Sequence, residues 1–180
     1  AHKGKHIITS AVEHHAVLHT CKELEKEGFK VTYLPVDEYG RVSANDLASA
    51  IDDDTILVSV MFANNEIGTI MPIEQIGKLC RERGVIFHTD AVQAIGMTEI
   101  DVNKLNIDLL SLTAHKFHGP KGVGALYVRK GVNIKPYVTG GAQERGKRAA
   151  TENVAAIVGM GEAIKLAAAD IPKKQKYLSE

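Results

Sequence analysis

The stretch that decides how this chain is expected to fold is Ile-Asp-Leu-Leu-Ser-Leu-Thr-Ala-His-Lys-Phe-His-Gly-Pro-Lys-Gly-Val-Gly, residues 107–124. Its apolar first part, residues 107–112, predicts a buried strand. A polar cluster with one lysine, Lys116, follows the strand, and the chain then breaks at Gly119 and Pro120. In an open α/β sheet, ligands bind where the strands end, so this position predicts a catalytic role for Lys116.

A second apolar run, residues 85–87, ends in the sequence His-Thr-Asp-Ala-Val-Gln and so places the carboxylate of Asp90 at another strand end. A desolvated lysine can lose its proton and form a Schiff base with a carbonyl. An aspartate can keep a pyridine nitrogen protonated, and the two groups together are what pyridoxal phosphate requires. Each residue alone has an ordinary alternative: Lys116 as a solvated loop residue, and Asp90 as a cap of the next helix, whose residues begin around Ala91.

The composition is that of an ordinary globular protein. The 180 residues include 22 basic and 22 acidic side chains, so the formal net charge is zero. No nucleic acid or anionic membrane is therefore expected as a partner, and no apolar run is long enough for a membrane span. The two cysteines, Cys21 and Cys80, form no disulfide framework, which favours a reducing, cytoplasmic location.

Predicted strands and helices alternate along the chain. Strands are predicted at residues 6–9, 30–36, 55–62, 85–88, 107–112 and 125–129. Helices are predicted at residues 13–26, 43–51, 72–83 and 151–169, the last of them amphipathic. This alternation predicts one domain of the α/β class with a parallel-dominated sheet.

No metal site is predicted, although the chain contains eight histidines. His115 and His118 are three residues apart, and His14 and His15 are adjacent, but no His-Glu-x-x-His or paired-cysteine motif is present. Residues 119–124 are glycine-rich without the spacing of a Walker loop, and they precede a strand, unlike a dinucleotide fingerprint. These glycines are therefore expected to allow a tight turn.

Six short motifs in a fixed order resemble a known family. They are Thr-Ser-Ala-Val-Glu-His (9–14), Asn-Asn-Glu-Ile-Gly (64–68), His-Thr-Asp-Ala-Val-Gln (88–93), Ala-His-Lys (114–116), Gly-Pro-Lys-Gly (119–122) and Gln-Glu-Arg-Gly-Lys-Arg (143–148). The chain resembles NifS/IscS-type cysteine desulfurases, which are class V aminotransferase-group enzymes that use pyridoxal phosphate. The resemblance implies the central part of a type I large domain, a mixed, mostly parallel sheet with helices on both faces. The family's N-terminal segment and C-terminal small domain are expected to lie outside residues 1–180.

The resemblance implies two catalytic residues, Lys116 and His14. Lys116 would form the Schiff base and move the α-proton of the substrate. His14 would stack on the cofactor ring and could act as an acid–base group, although a surface histidine at a helix start is the ordinary alternative. Asp90 would pair with the pyridine nitrogen, and Gln93 would bond the ring hydroxyl.

The remaining implied ligands of the cofactor are Asn65, Thr113, His115 and Thr151. Asn65 would lie near the ring hydroxyl and the substrate carboxylate, whereas asparagines at such positions are most often turn formers. Thr113 and His115 would donate hydrogen bonds to the phosphate. Thr151 would reach the phosphate of the neighbouring subunit's cofactor, which implies a homodimer. Ala150 stands where the family usually has glycine, so an altered loop before Thr151 is expected.

The implied activity is transfer of sulfur from L-cysteine, through an enzyme persulfide, to an iron–sulfur scaffold or another acceptor protein, with release of L-alanine. The persulfide cysteine lies beyond residue 180 in the family, and neither Cys21 nor Cys80 matches it. Residues 1–180 alone are therefore not expected to release sulfide from cysteine at a useful rate. The alternatives are a selenocysteine lyase or another class V enzyme, and a catalytically inactive α/β fragment.

Overall fold

The computed structural model describes residues 4–179, and these form one sheet of six strands in the order β2-β1-β3-β4-β5-β6. The strands are β1 (His6–Ser10), β2 (Lys30–Leu34), β3 (Thr55–Ser59), β4 (Ile86–Asp90), β5 (Leu109–Thr113) and β6 (Gly124–Val128). Strands β1 to β5 are parallel, and β6 runs antiparallel to β5. The predicted parallel-dominated α/β sheet is therefore confirmed.

Three helices connect the first four strands: α1 (His15–Lys26), α2 (Ala44–Ala50) and α3 (Ile73–Arg83). A 3-10 helix (Ala114–Phe117) directly follows β5, and the helices α4 (Gln143–Gly146), α5 (Val154–Ala169) and α6 (Ile171–Ser179) follow β6. Parallel connections are right-handed, so α1 covers one face of the sheet, and α2 and α3, which contact each other, cover the opposite face. No helix in residues 4–179 combines the length and apolarity that a membrane span needs.

Several predicted boundaries are wrong by a few residues, and two of these errors bear on the site. Helix α1 begins at His15 rather than residue 13, because Glu13 is buried and His14 is the N-cap, whose ring accepts from Ala16 N. Helix α5 begins at Val154 rather than Thr151, with Asn153 as its N-cap. In both cases an N-capping side chain makes the helix begin later in the chain than apolar periodicity alone predicted.

The main core lies between the sheet and helices α2 and α3. Ile8, Val58 and Phe87 from neighbouring strands are fully buried there, together with Ile76 and Cys80 of α3. Because side chains alternate along a strand, the opposite face of β4 presents the residues before and after Thr89. That opposite face is only half-buried, which leaves polar groups accessible to a ligand.

Helix α5 packs against the 3-10 helix through a small second cluster that contains Phe117 and Ala167. Its outward surface is also apolar, since Val154 and Val158 are both 66% exposed and Leu166 is 63% exposed. The prediction that this helix is amphipathic is therefore wrong for the described chain.

Candidate cofactor site

Four of the predicted site residues lie at one edge of the sheet. The strands β1, β3, β4 and β5 are neighbours and parallel, so their carboxyl ends meet at the same edge. His14 follows β1, Asn65 follows β3, Asp90 ends β4 and Lys116 follows β5. With strands about 4.8 Å apart, the four strand ends span about 14 Å. This length suits a cofactor of a single ring with a phosphate arm.

Lys116 stands on a firmly anchored turn. Ala114 and Phe117 of the same 3-10 helix are buried, while Lys116 itself is exposed. Gly119 N donates to Ala114 O at 2.8 Å and closes the turn. A Cβ on Gly119 would stand 3.2 Å from the Ala163 Cβ of α5, so glycine permits this close packing. Within the described residues the Lys116 amine makes no hydrogen bond or ion pair, so it is free to bind a ligand.

Thr113 and His115 form a polar pair beside Lys116. Thr113 is the last residue of β5, and its hydroxyl lies 3.0 Å from His115 Nδ1. His115 is exposed and Thr113 is half-buried. A hydroxyl and an imidazole at a strand end are groups that can donate to phosphate oxygens, and their phosphate-binding role stays a prediction.

Asp90 fulfils the ordinary role and leaves room for the functional one. Its Oδ1 accepts from Val92 N at 3.0 Å, so it caps the turn that follows β4. Its Oδ2 accepts no hydrogen bond from the part of the chain that the structure describes. Gln93 is half-buried in the same turn. One carboxylate oxygen is therefore available for a protonated ring nitrogen.

Sequence reasoning missed the histidine that lies behind Asp90. His88 Nδ1 is 2.8 Å from the hydroxyl of Ser59 in β3, and His88 Nε2 is 2.9 Å from the hydroxyl of Ser111 in β5. Burial lowers the pKa of His88, while the nearby Asp90 carboxylate raises it. The imidazole thus bridges three strands on the half-buried face. The two-residue spacing from Asp90 was the available signal, because residues i and i+2 of a strand share a face.

Glu13 was predicted as the first residue of a helix, but the structure buries it beside the site. It is 5% exposed, and its Oε1 accepts from Ser10 Oγ at 2.6 Å and from Met61 N at 2.8 Å. Burial raises the pKa of Glu13 to about 7; the two hydrogen bonds lower it, and Asp90 raises it. Apolar periodicity does not distinguish this acid from the exposed glutamates of α1, although Glu13 lies within the motif at residues 9–14.

Thr151 is not brought to the other predicted residues. It is exposed in the loop before α5, and no hydrogen bond within residues 4–179 joins it to the sheet edge. Ala150, directly before it, has φ +103°, a backbone conformation that favours glycine. Ala150 therefore adopts a backbone conformation that is strained for alanine, and both the altered loop and the role of Thr151 stay predictions.

Both cysteines are poorly suited to nucleophilic chemistry. Cys21 is 4% exposed and Cys80 is fully buried. Burial raises the pKa of both thiols, that of Cys80 to about 12, with smaller contributions from nearby acids. Thiolate is the reactive form, so neither residue is available as a sulfur acceptor. Among the described residues no group of three or more His, Cys, Asp and Glu side chains could hold a metal ion.

Comparison with known proteins identifies the family of this chain. The aminotransferase class-V family matches residues 1–180. The chain is 66% identical over 177 residues to a protein named cysteine desulfurase IscS from Clostridium botulinum, covering 98% of this chain and 45% of that protein. It is also 66% identical over 176 residues to a protein of the same name from Methanosarcina thermophila, covering 98% of this chain and 44% of that protein.

Solved structures give the same result. A NifS-like protein aligns with a TM-score of 0.92 at 47% identity, over 95% of this chain and 47% of its own. SspA in complex with cysteine aligns with a TM-score of 0.88 at 46% identity, over 91% of this chain and 48% of its own. The chain spans less than half the length of these proteins. From the match over all its residues, this chain belongs to the aminotransferase class-V family.

Proposed function

We propose that this chain is part of a cysteine desulfurase that uses pyridoxal 5'-phosphate and L-cysteine. The observation that carries the proposal is the placement of the Lys116 amine, the Asp90 carboxylate and the His14 imidazole at one edge of a parallel sheet. Relatives at 66% identity named cysteine desulfurase support this reading.

The side chains at the edge fit the chemical groups of this cofactor. When bound, pyridoxal phosphate supplies an electron-accepting pyridinium ring. The unused Oδ2 of Asp90 can accept from the ring nitrogen and keep it protonated. The hydroxyl of Thr113 and the imidazole of His115 can donate to the phosphate, and the free amine of Lys116 can hold the cofactor covalently. Gln93 and Asn65 are assigned to the ring hydroxyl.

His14 has a defined hydrogen-bonding state. Its Nδ1 accepts from Ala16 N at 3.2 Å, so in the neutral ring the proton is on Nε2. The Nε2–H group is thus available to donate a hydrogen bond to a ligand. This suits the stacking role that is assigned to His14, whereas the acid–base role requires the imidazolium form, in which Nδ1 carries a proton and gives up its hydrogen bond from Ala16 N.

The whole enzyme is proposed to be a cytoplasmic homodimer that passes sulfur to an iron–sulfur scaffold or another acceptor protein and releases L-alanine. The thiol that takes up sulfur is not supplied by Cys21 or Cys80, because both are buried with raised pKa values. Thr151 is assigned to the phosphate of the neighbouring subunit's cofactor, in agreement with its exposed position.

The Schiff-base assignment can be tested by trapping the linkage in the full-length protein. After incubation with pyridoxal phosphate and reduction with borohydride, peptide mapping should place the pyridoxyl group on Lys116. Lys116→Ala should lose the label and the visible absorbance of the bound cofactor. The control Lys121→Ala removes an exposed lysine five residues away and should retain both. A label on Lys121 or Lys130 in the wild type would contradict the assignment.

A further inference from the structure

Two hydrogen bonds join the turn after β1 to the loop after β3. Glu13 Oε1 accepts from Met61 N at 2.8 Å, and Asn64 Nδ2 donates to Val12 O at 3.0 Å. In the first bond a side chain of the turn holds the backbone of the loop, and in the second a side chain of the loop holds the backbone of the turn. The two segments are therefore fixed to each other at two points.

The backbone N–H of Met61 needs the hydrogen bond to Glu13 because β1 no longer pairs with the chain at this position. Pairing between β1 and β3 ends at Thr9 and Ser59, after which β1 turns away towards β2. Met61 is 2% exposed, so its N–H would otherwise be buried without an acceptor, which is costly. The carboxylate of Glu13 takes the place of the missing strand. On the other side, Phe62 N donates to the backbone carbonyl of Asp90 at 2.8 Å.

Asn64 shapes the loop as well as anchoring it. Its Oδ1 accepts from Glu66 N at 2.8 Å and from Ile67 N at 3.1 Å, which closes the turn around Asn65. The same amide group donates to Val12 O. The conformation of the backbone at Asn65 and its distance from the β1 turn are thus set by one buried side chain.

Burying the carboxyl group of Glu13 costs desolvation free energy, which the hydrogen bonds accepted by its Oε1 must offset. Its Oε2 is buried and has no hydrogen-bond partner within the described chain. An apolar side chain would avoid that desolvation cost. The distinctive contribution of Glu13 is therefore the pair of hydrogen bonds at Oε1, to Ser10 and Met61.

We propose that Glu13 and Asn64 form a clasp that holds the turn carrying His14 against the loop carrying Asn65. Glu13 and Asn64 are then positioning residues for the cofactor site. The inference rests on the proposed function in one respect: His14 and Asn65 are taken to contact the cofactor. Neither Glu13 nor Asn64 touches the reacting atoms in this arrangement.

Hydrogen exchange of the full-length protein tests whether the clasp exists. Glu13→Ala should speed amide exchange at Met61 by about tenfold, the loss expected for a hydrogen bond to a buried acid. Glu13→Gln retains an acceptor oxygen and should restore slow exchange. The control Glu23→Ala removes an exposed acid from α1 and should leave exchange at residues 61–67 unchanged. Unchanged exchange in Glu13→Ala would overturn the clasp.

Asn64→Asp tests the second hydrogen bond of the clasp, from Asn64 Nδ2 to Val12 O, and keeps the proposal testable if Glu13→Ala does not fold. The variant keeps an acceptor for the N–H groups of Glu66 and Ile67 but sets a carboxylate against the carbonyl of Val12. Exchange should therefore become faster in residues 11–14. Slow exchange there, equal to that of the wild type, would contradict a role of the Asn64–Val12 hydrogen bond in the clasp.

Titration with pyridoxal phosphate tests the positioning role. Glu13→Ala should weaken the affinity of the apoprotein by about tenfold, and Glu13→Gln should restore it. Faster exchange with unchanged affinity, in a protein whose His14→Ala variant does bind more weakly, would overturn the positioning role alone. If His14→Ala and Asn65→Ala also bind normally, the proposed cofactor site itself is wrong.

Discussion

At the scale of single residues, Glu13 is a carboxylic acid with only 5% exposure, and its Oε2 has no hydrogen-bond partner in the described chain. Its pKa is raised from 4.5 to about 7, chiefly by burial. The folded protein therefore binds this proton more tightly than the unfolded chain does. The resulting contribution to stability is fully present below pH 4.5 and is lost as the pH rises through about 7.

Glu13→Gln should remove this pH dependence, because glutamine does not titrate. Between pH 4.5 and pH 8 the free energy of unfolding of the wild type should fall by about 2–3 kcal/mol more than that of the variant. Urea denaturation at several pH values measures the difference. The exposed Glu23→Gln serves as control and should follow the wild type. Parallel curves for Glu13→Gln and wild type would contradict a raised pKa.

At the scale of elements, two helical glycines show where packing is tight and where it is not. In α3, a Cβ on Gly77 would clash with the backbone carbonyl oxygen of Leu105. In α5, a Cβ on Gly161 would meet nothing within 4 Å. Helix α3 therefore lies directly against the chain that leads into β5, whereas α5 has open space at Gly161.

The same substitution should have opposite effects in these two helices. Gly77→Ala should destabilise the protein by about 1–3 kcal/mol, because backbone must move to make room. Gly161→Ala should stabilise it by about 0.5–1 kcal/mol, since alanine has the higher helix propensity. Thermal and urea denaturation of both variants provide the comparison. A neutral Gly77→Ala would show that α3 is less closely packed than described.

At the scale of the whole molecule, the sheet has an open side at β6. Only β5 pairs with this strand in residues 4–179, and Leu126 within it is 46% exposed. Its outward N–H and C=O groups are therefore free to pair with another chain. We expect residues 1–180 to self-associate through β6.

Leu126→Lys should reduce this self-association, because a charged residue on an edge strand disfavours pairing between chains. Sedimentation velocity of residues 1–180 at increasing concentration should show less dimer and oligomer in the variant. Tyr39→Lys replaces another exposed apolar residue, 70% exposed and away from β6, and should behave like the wild type. A wild-type chain that stays monomeric throughout, with fast exchange at β6, would count against association through this edge.

The sequence by itself determined the alternation of strands and helices, the positions of Lys116 and Asp90 at strand ends, and the glycine turn after Lys116. These are local properties: apolar periodicity, chain breaks and capping residues are encoded within a few neighbouring positions.

Only the tertiary structure decided which strands are neighbours and which polar side chains are buried. His88 meets Ser59 and Ser111, which are 29 and 23 residues away. Glu13 meets Met61 across 48 residues, and this contact turns an apparent helix residue into a buried acid. The amphipathic prediction for α5 was wrong because apolar residues lie on its exposed surface as well as on its packed surface. Local periodicity shows which residues share a face, but the order of strands and the packing of helices decide what that face meets.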